Sequence, residues 1–215
     1  MTNVESQNLT PATKGLVLHG TAHFYDLLVW LFMRGREGIF RKKVLDLAQL
    51  RSGESVLDVG CGTGTLAIAA KERVGPTGAV YGIDASPEMI SRATKKAIKA
   101  GTEIVFKTGI VEALPFPDKS FDAVLSTLML HHLPREAREQ CAREIRRVLK
   151  PGGRILAIDF ATSGKKKGLL THFHRRHGSV KLPEIIAVLS QAGLSVVESG
   201  ALGMKDMHFV LATAP

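Results

Sequence analysis

Residues 56–64, VLDVGCGTG, hold the residue types best suited to taking a small molecule. Val56, Leu57 and Val59 are the apolar, β-rich residues of a short buried strand, and that strand breaks off into glycines. Gly60, Gly62 and Gly64 alternate with Cys61 and Thr63, and Thr65 to Ala70 reads as the first turns of a helix. Strand, glycine loop and helix start are the parts from which a parallel α/β sheet builds a ligand site. Absent Cβ atoms let backbone approach the ligand, and the helix N–H groups point into the gap. An ordinary glycine-rich turn has the same composition, so the acids decide. Asp58 stands just before the loop. Asp84 ends the next strand about 20 residues on, where its two oxygens can accept from both hydroxyls of a ribose.

The elements that must hold these residues follow from periodicity and turn chemistry. A helix is expected over Ile39–Leu50 with Phe40, Val44, Leu45 and Leu47 inward, and the turn Arg51–Glu54 leads to the first strand. The loop helix runs to about Arg73, a Gly75–Gly78 turn follows, and 79–83 (AVYGI) is the second strand. Ser86 and Pro87 are the N-cap and N1 residues of a helix that ends at Ala100 before Gly101. Strands are expected at 103–107 and 121–126, a helix at 135–149, a sharp turn at Lys150–Gly153, and a strand at 154–159. A helix near 182–192 and strands near 195–199 and 207–213 complete the series. The pattern is an open, doubly wound, Rossmann-like α/β sheet with a closing hairpin. The apolar stretch 22–33 (AHFYDLLVWLFM) predicts a buried helix, so that 1–36 forms a helical cover or substrate cap and 37–215 the sheet domain.

The 215 residues suffice for one domain with a full core. A net charge of +9 favours anionic partners: a phosphate-bearing substrate, an acidic membrane face or nucleic acid. The excess gathers in 34–43 (RGREGIFRKK) and in 162–181, the latter without a single acid. Cys61 and Cys141 make no disulfide framework, which fits a reducing compartment. No signal peptide is visible, and the apolar run Leu27–Met33 is too short to span a bilayer. These features predict a cytoplasmic protein with an anionic membrane surface as a candidate partner. His172, His174 and His177 lack a carboxylate or thiol beside them, so no metal is expected. Lys165, Lys166, Lys167, Arg175 and Arg176 there suit either a solvated loop or anion recognition.

The chain resembles the class I S-adenosylmethionine-dependent methyltransferases, within the broad group of ubiquinone/menaquinone C-methyltransferases and small-molecule and phospholipid methyltransferases. VLDVGCGTG matches that family's first motif and GIDASPEMI at 82–90 its second-strand motif. ALPFPDKSFDAVLSTLMLHHL at 113–133 matches the middle motif and LKPGGRILAIDF at 149–160 the fourth. The resemblance covers roughly 40–160 and implies a seven-stranded sheet whose last strand runs antiparallel. It implies that Asp58 and the loop Gly60, Cys61, Gly62, Thr63 and Gly64 hold the cofactor's methionine end. It places Asp84 at the ribose, with Ala85 and Met89 beside it, and Ser126 and Thr127 near the sulfonium. One departure stands out: the family often has Gly-Asp where this chain has Gly109-Ile110. Ile110 can pack on the adenine but cannot accept its amino group, which leaves the N–H of Val111 to read the ring edge.

In such an enzyme the methyl is already activated, and the protein aligns the groups and removes a proton where needed. His131 and His132, just after the fourth strand, are the candidate bases, because imidazole accepts protons near neutral pH. The expected product is S-adenosylhomocysteine and the expected acceptor a small or amphipathic molecule such as a quinol, phenol or phospholipid head group. A nicotinamide dehydrogenase would carry G-x-G-x-x-G, and position 65 is Thr65. A DNA adenine methylase would carry Asn/Asp-Pro-Pro-aromatic where this chain has Ser126-Thr127-Leu128-Met129. RNA-directed methylation and a non-enzymatic cofactor-binding interaction protein remain the alternatives.

Overall fold

The computed structural model describes residues 13–15, 35–160, 180–204 and 206–215. The expected helix at 22–33 and most of the basic stretch 162–181 lie outside the described residues. The chain order is α1 (Glu37–Leu47), β1 (Ser55–Val59), α2 (Thr65–Val74), β2 (Ala79–Asp84), α3 (Pro87–Lys99), β3 (Val105–Thr108), β4 (Phe121–Thr127), a 3-10 turn (Leu130–His132), α4 (Arg135–Val148), β5 (Leu149–Phe160), α5 (Leu182–Gln191), β6 (Ser195–Ala201) and β7 (Met207–Thr213). Each expected strand and helix in the described region is present. Helix α1 ends three residues early, and β5 begins at Leu149, because the Lys150–Gly153 turn is drawn into the sheet. Phe121 pairs with Leu149, and the register then shifts so that Ala123 faces Arg154.

The seven strands lie in the order β3-β2-β1-β4-β5-β7-β6. β1 to β5 run parallel, whereas β7 is antiparallel to both β5 and β6. The closing hairpin therefore folds back, so that β7 sits inside β6. Alternation along the strands sends side chains to two cores. Leu57, Val59, Val124, Ile155, Ala157 and Val210 pack with Cys141, Ile145 and Val148 of α4 and Ile185 and Leu189 of α5. Val56, Val80, Leu125, Leu156, Ile158 and Leu211 pack with Phe40 and Val44 of α1 and Leu66, Ala67 and Ala70 of α2. Helices thus cover both faces, and strands buried on both faces read as continuous apolar runs. Tyr81, Phe116 and Phe121 meet edge to face with centroids 5.2–5.7 Å apart. Arg147 of α4 adds bonds to Leu114 O, Phe116 O and Asp118, so the β3–β4 connection is fastened at the sheet's rim.

Beside the start of β1, Arg154 makes a forked pair with Glu54, Nη1 to Oε1 at 2.9 Å and Nη2 to Oε2 at 2.7 Å. Both side chains are 13% exposed, so solvent screens the pair weakly. Burial alone would raise the Glu54 carboxyl, but the Arg154 guanidinium and the Arg51 N–H outweigh it and leave the group below its ordinary value. A carboxyl depressed on folding stabilises the fold above its unfolded pKa, and that contribution is lost as pH falls through the folded value. Glu54→Gln should therefore cost about 2 kcal/mol at neutral pH, and urea unfolding near pH 3 should show a much smaller deficit. Equal deficits at both pH values would remove the pair from the stability account.

Candidate functional site

The carboxyl ends of β1, β2 and β4 meet the glycine loop, and one cavity opens there. Its walls include Gly60, Gly62, Asp84, Ala85, Met89, Ile110, Val111, Thr127 and His132. Sequence reasoning places all nine of these in the site, and the structure brings them together. Asp58, Cys61, Thr63, Gly64, Ser126 and His131 do not line it. Asp58, Cys61, Thr63 and Ser126 are buried behind the wall, and Lys96 of α3 donates to the Thr63 and Thr65 hydroxyls at 2.9 and 2.6 Å, fastening the loop from outside.

The loop is held to β2 by its own backbone. Gly60 and Cys61 both donate N–H bonds to the Ile83 carbonyl, at 2.8 and 3.0 Å. Gly60 and Gly64 have φ of 70° and 74°, in the left-handed region that glycine tolerates. Their missing Cβ atoms also serve the protein. A Cβ on Gly60 would run into the Met129 side chain, and one on Gly64 would lie 2.7 Å from Phe106 Cζ. Helix α2 then starts with no side-chain cap, so the positive end of its dipole stays unneutralised from that side.

Two acids set the electrostatics. Asp84 accepts from Gly62 N–H through Oδ2 and from Ser86 N–H through Oδ1, both at 2.9 Å. Burial nevertheless raises its carboxyl above the ordinary value. Ser86 also caps α3, accepting the Met89 N–H at 3.3 Å. Asp58 has no such help: among the described residues, both of its oxygens are buried without a hydrogen-bond partner. Burial, with the nearby Asp84 charge adding to it, pushes its carboxyl up to about 8. A ligand carrying positive charge relieves both the desolvation and the mutual repulsion of these acids. S-adenosylmethionine, with its sulfonium, ammonium and ribose diol, matches that donor and acceptor set. Asp84 is available to the diol, and Asp58 with the Gly60–Gly62 backbone to the ammonium end.

Several wall residues had no place in the sequence-based site. Leu128 and Met129 follow β4, and Leu128 has φ of 55°, an unusual value for a branched residue. Nothing in the sequence signals that backbone. Glu112 also lines the cavity while buried, and an acid inside the apolar run 110–116 was a readable sign. Thr13 and Gly15 close the rim. Behind His132, the fully buried Asp159 accepts twice from His131, Nδ1 at 2.6 Å on Oδ1 and the backbone N–H at 3.0 Å on Oδ2, and once from the Phe160 N–H, at 2.7 Å on Oδ1.

Known proteins agree with this geometry. Residues 56–153 match the family described as the methyltransferase domain. The ubiquinone/menaquinone biosynthesis C-methyltransferase UbiE of Pseudomonas entomophila is 34% identical over 152 residues, 70% of this chain and 59% of that protein. The UbiE of Laribacter hongkongensis is 35% identical over 145 residues, covering 67% and 59%. This chain thus spans 59% of the length of these curated relatives. A solved S-adenosylmethionine-dependent methyltransferase from Aquifex aeolicus superposes with a TM-score of 0.70 at 28% identity, over 81% of this chain and 89% of that one. The sheet order and the glycine loop at its carboxyl edge define a Rossmann-like methyltransferase fold. Residues 56–153 thus carry a methyltransferase domain, and the chain is similar to the S-adenosylmethionine-dependent methyltransferases, the UbiE enzymes among them.

The Asp58 carboxyl gives a sharp test. Near pH 7 it is mostly protonated in the free protein, and a bound ammonium favours its ionised form. Titration with S-adenosylhomocysteine at pH 7 in two buffers of different ionisation enthalpy should show proton release, fading above about pH 8. Asp58→Asn should abolish that release. Asp84→Ala should weaken binding at least about thirtyfold, the value of two lost charge-assisted bonds. Unchanged affinity in Asp84→Ala would displace the ribose assignment.

Proposed function

We propose that this protein transfers the methyl group of S-adenosylmethionine to a small aromatic acceptor of the quinol or phenol class, with a ring carbon as the receiving atom. The bound cofactor supplies a methyl on a positively charged sulfur, ready for in-line displacement. The chain's own part is to orient the acceptor and take up a proton. The observation that carries this reading is the histidine pair beside the cavity. His132 lines the wall, His131 packs behind it with ring centroids 3.9 Å apart, and Asp159 anchors His131.

The chemistry follows from those positions. A carboxylate accepting from Nδ1 fixes His131 in the tautomer that leaves Nε2 as the acceptor nitrogen. A phenolic hydroxyl gives up its proton to make the ring carbon nucleophilic, and an imidazole at the wall is a suitable acceptor; once the carbon is methylated, its C–H proton leaves and the oxygen is reprotonated as the ring regains aromaticity. Leu128, Met129 and Leu133 supply an apolar surface on the same side for a flat ring. The names of the curated relatives, C-methyltransferases of quinone biosynthesis, support carbon as the site of transfer.

The reading is tested with radiolabelled cofactor against a panel of quinols and phenols, with phospholipid vesicles and RNA as the comparison arms. Label on a quinol ring carbon, located by fragmentation, is the expected result; label on RNA or lipid alone overturns it. In the active assay His132→Asn should lower turnover at least about a hundredfold and His131→Asn or Asp159→Asn about tenfold. Affinity for S-adenosylhomocysteine should stay within about twofold of wild type in all three. Full activity in His132→Asn would take the pair out of the mechanism.

A further inference from the structure

Thr13 to Gly15 cross the cavity's rim from the β3–β4 connection to the 3-10 turn. Thr13 Oγ1 donates to Glu112 Oε1 at 2.7 Å, and the Lys14 backbone N–H donates to the same oxygen at 3.2 Å. Gly15 N–H donates back to Thr13 Oγ1 at 2.9 Å, which makes the three residues a tight unit. On the far side a Cβ on Gly15 would come within 2.7 Å of Leu133 Cδ2 and 3.5 Å of the His132 carbonyl. The Lys14 ammonium reaches Glu136 of α4 at 3.0 Å, an exposed pair of small energetic weight. Thr13, Gly15, Glu112, His132 and Leu133 all face the same cavity.

Glu112 is the unusual member. It is 6% exposed, both hydrogen bonds to its carboxylate come from Thr13 and Lys14, and they share one oxygen. The other, Oε2, is buried with no partner among the described residues. A carboxylate has room for about four donors, and leaving one oxygen of a buried acid unserved is costly. With the segment seated, Glu112 bears that cost. With it lifted, water serves both oxygens. Seating the segment therefore sets two hydrogen bonds on Oε1 against an unserved Oε2, and any ligand that contacts Thr13 and Gly15 from below adds to the seated side of that balance.

We propose that Glu112 is a positioning residue that latches Thr13–Gly15 over the bound nucleoside cofactor, so that the latch governs how fast cofactor and product leave. The proposal rests on the cofactor assignment and is independent of the quinol reading. Its probe is S-adenosylhomocysteine, whose dissociation is followed by surface plasmon resonance on the full chain. Thr13→Val and Glu112→Ala should each speed dissociation about tenfold, the worth of one lost latch. The double variant should be no faster than Glu112→Ala, because both changes remove one contact. Glu112→Gln keeps an oxygen that accepts the same two bonds and should stay within about threefold of wild type.

Trypsin supplies a second readout at the Lys14–Gly15 bond, scored by mass spectrometry of the new terminus. S-adenosylhomocysteine should protect that bond in wild type and Glu112→Gln and fail to protect it in Glu112→Ala. Thr13→Val leaves both core clusters intact, so an unchanged dissociation rate in that variant overturns the latch. Multiplying effects in the double variant overturn it as well. No binding by wild type would sink the cofactor assignment and the latch together, whereas failure to methylate any quinol leaves the latch standing.

Discussion

The Ile83 carbonyl takes two N–H bonds from successive residues of the glycine loop, and the carboxyl edge of the sheet depends on that double acceptance. It draws the end of β1 against the end of β2, which places Gly62 where it can donate to Asp84. Asp84 in turn accepts from Ser86, so the same carboxylate orders the entry to α3. One carbonyl and one carboxylate therefore fix two helix starts relative to each other. The consequence is a pocket whose walls are mostly backbone and whose charge is supplied by acids set into the sheet. Such walls reorganise little, which suits a site that must hold a reactive group in line.

A second tie binds the opposite wall. Asp159, near the end of β5, gathers three N–H donors from residues 131 and 160, and Leu128 donates to the Ile158 carbonyl at 2.8 Å. The chain leaving β4 is thus pulled back over the neighbouring strand instead of running out into solvent. Leu128 accepts a left-handed backbone to make that turn, and the strain is repaid by Met129 and Leu130 packing inward. The two histidines inherit their positions from this turn.

Most of the fold was legible in local sequence. The apolar runs at 56–59, 79–83 and 121–126 announce strands buried on both faces, and Ser86-Pro87 announces a helix start that the structure shows in detail. Asp84 could be assigned because the distance from the glycines is itself a structural measure. The partnerships that finish the site were not legible. Glu112 meets Thr13 across 99 positions and Asp159 meets His131 across 28, and no periodicity encodes which distant residues will touch. The Asp58 environment was hidden for a similar reason. Its acid is visible in the sequence, but the absence of a donor to its oxygens among the described residues is a property of the assembled interior. The glycines carried a mixed message: at Gly60 and Gly64 the missing side chain is needed by Met129 and Phe106 as well as by any ligand.

The position of β7 between β5 and β6 has a bearing on how the molecule is made. During synthesis β6 leaves the ribosome before β7, yet among the described residues its only sheet neighbour is β7. Until β7 follows, β5 presents a bare edge of N–H and C=O groups, with Ile155 and Ile158 among the side chains it carries. Unpaired, apolar edges are the templates on which nascent chains join one another. Sealing the β5 edge by β7 is a late event with contacts more than forty residues apart, so the nascent chain passes through a window in which chaperone capture and self-association compete.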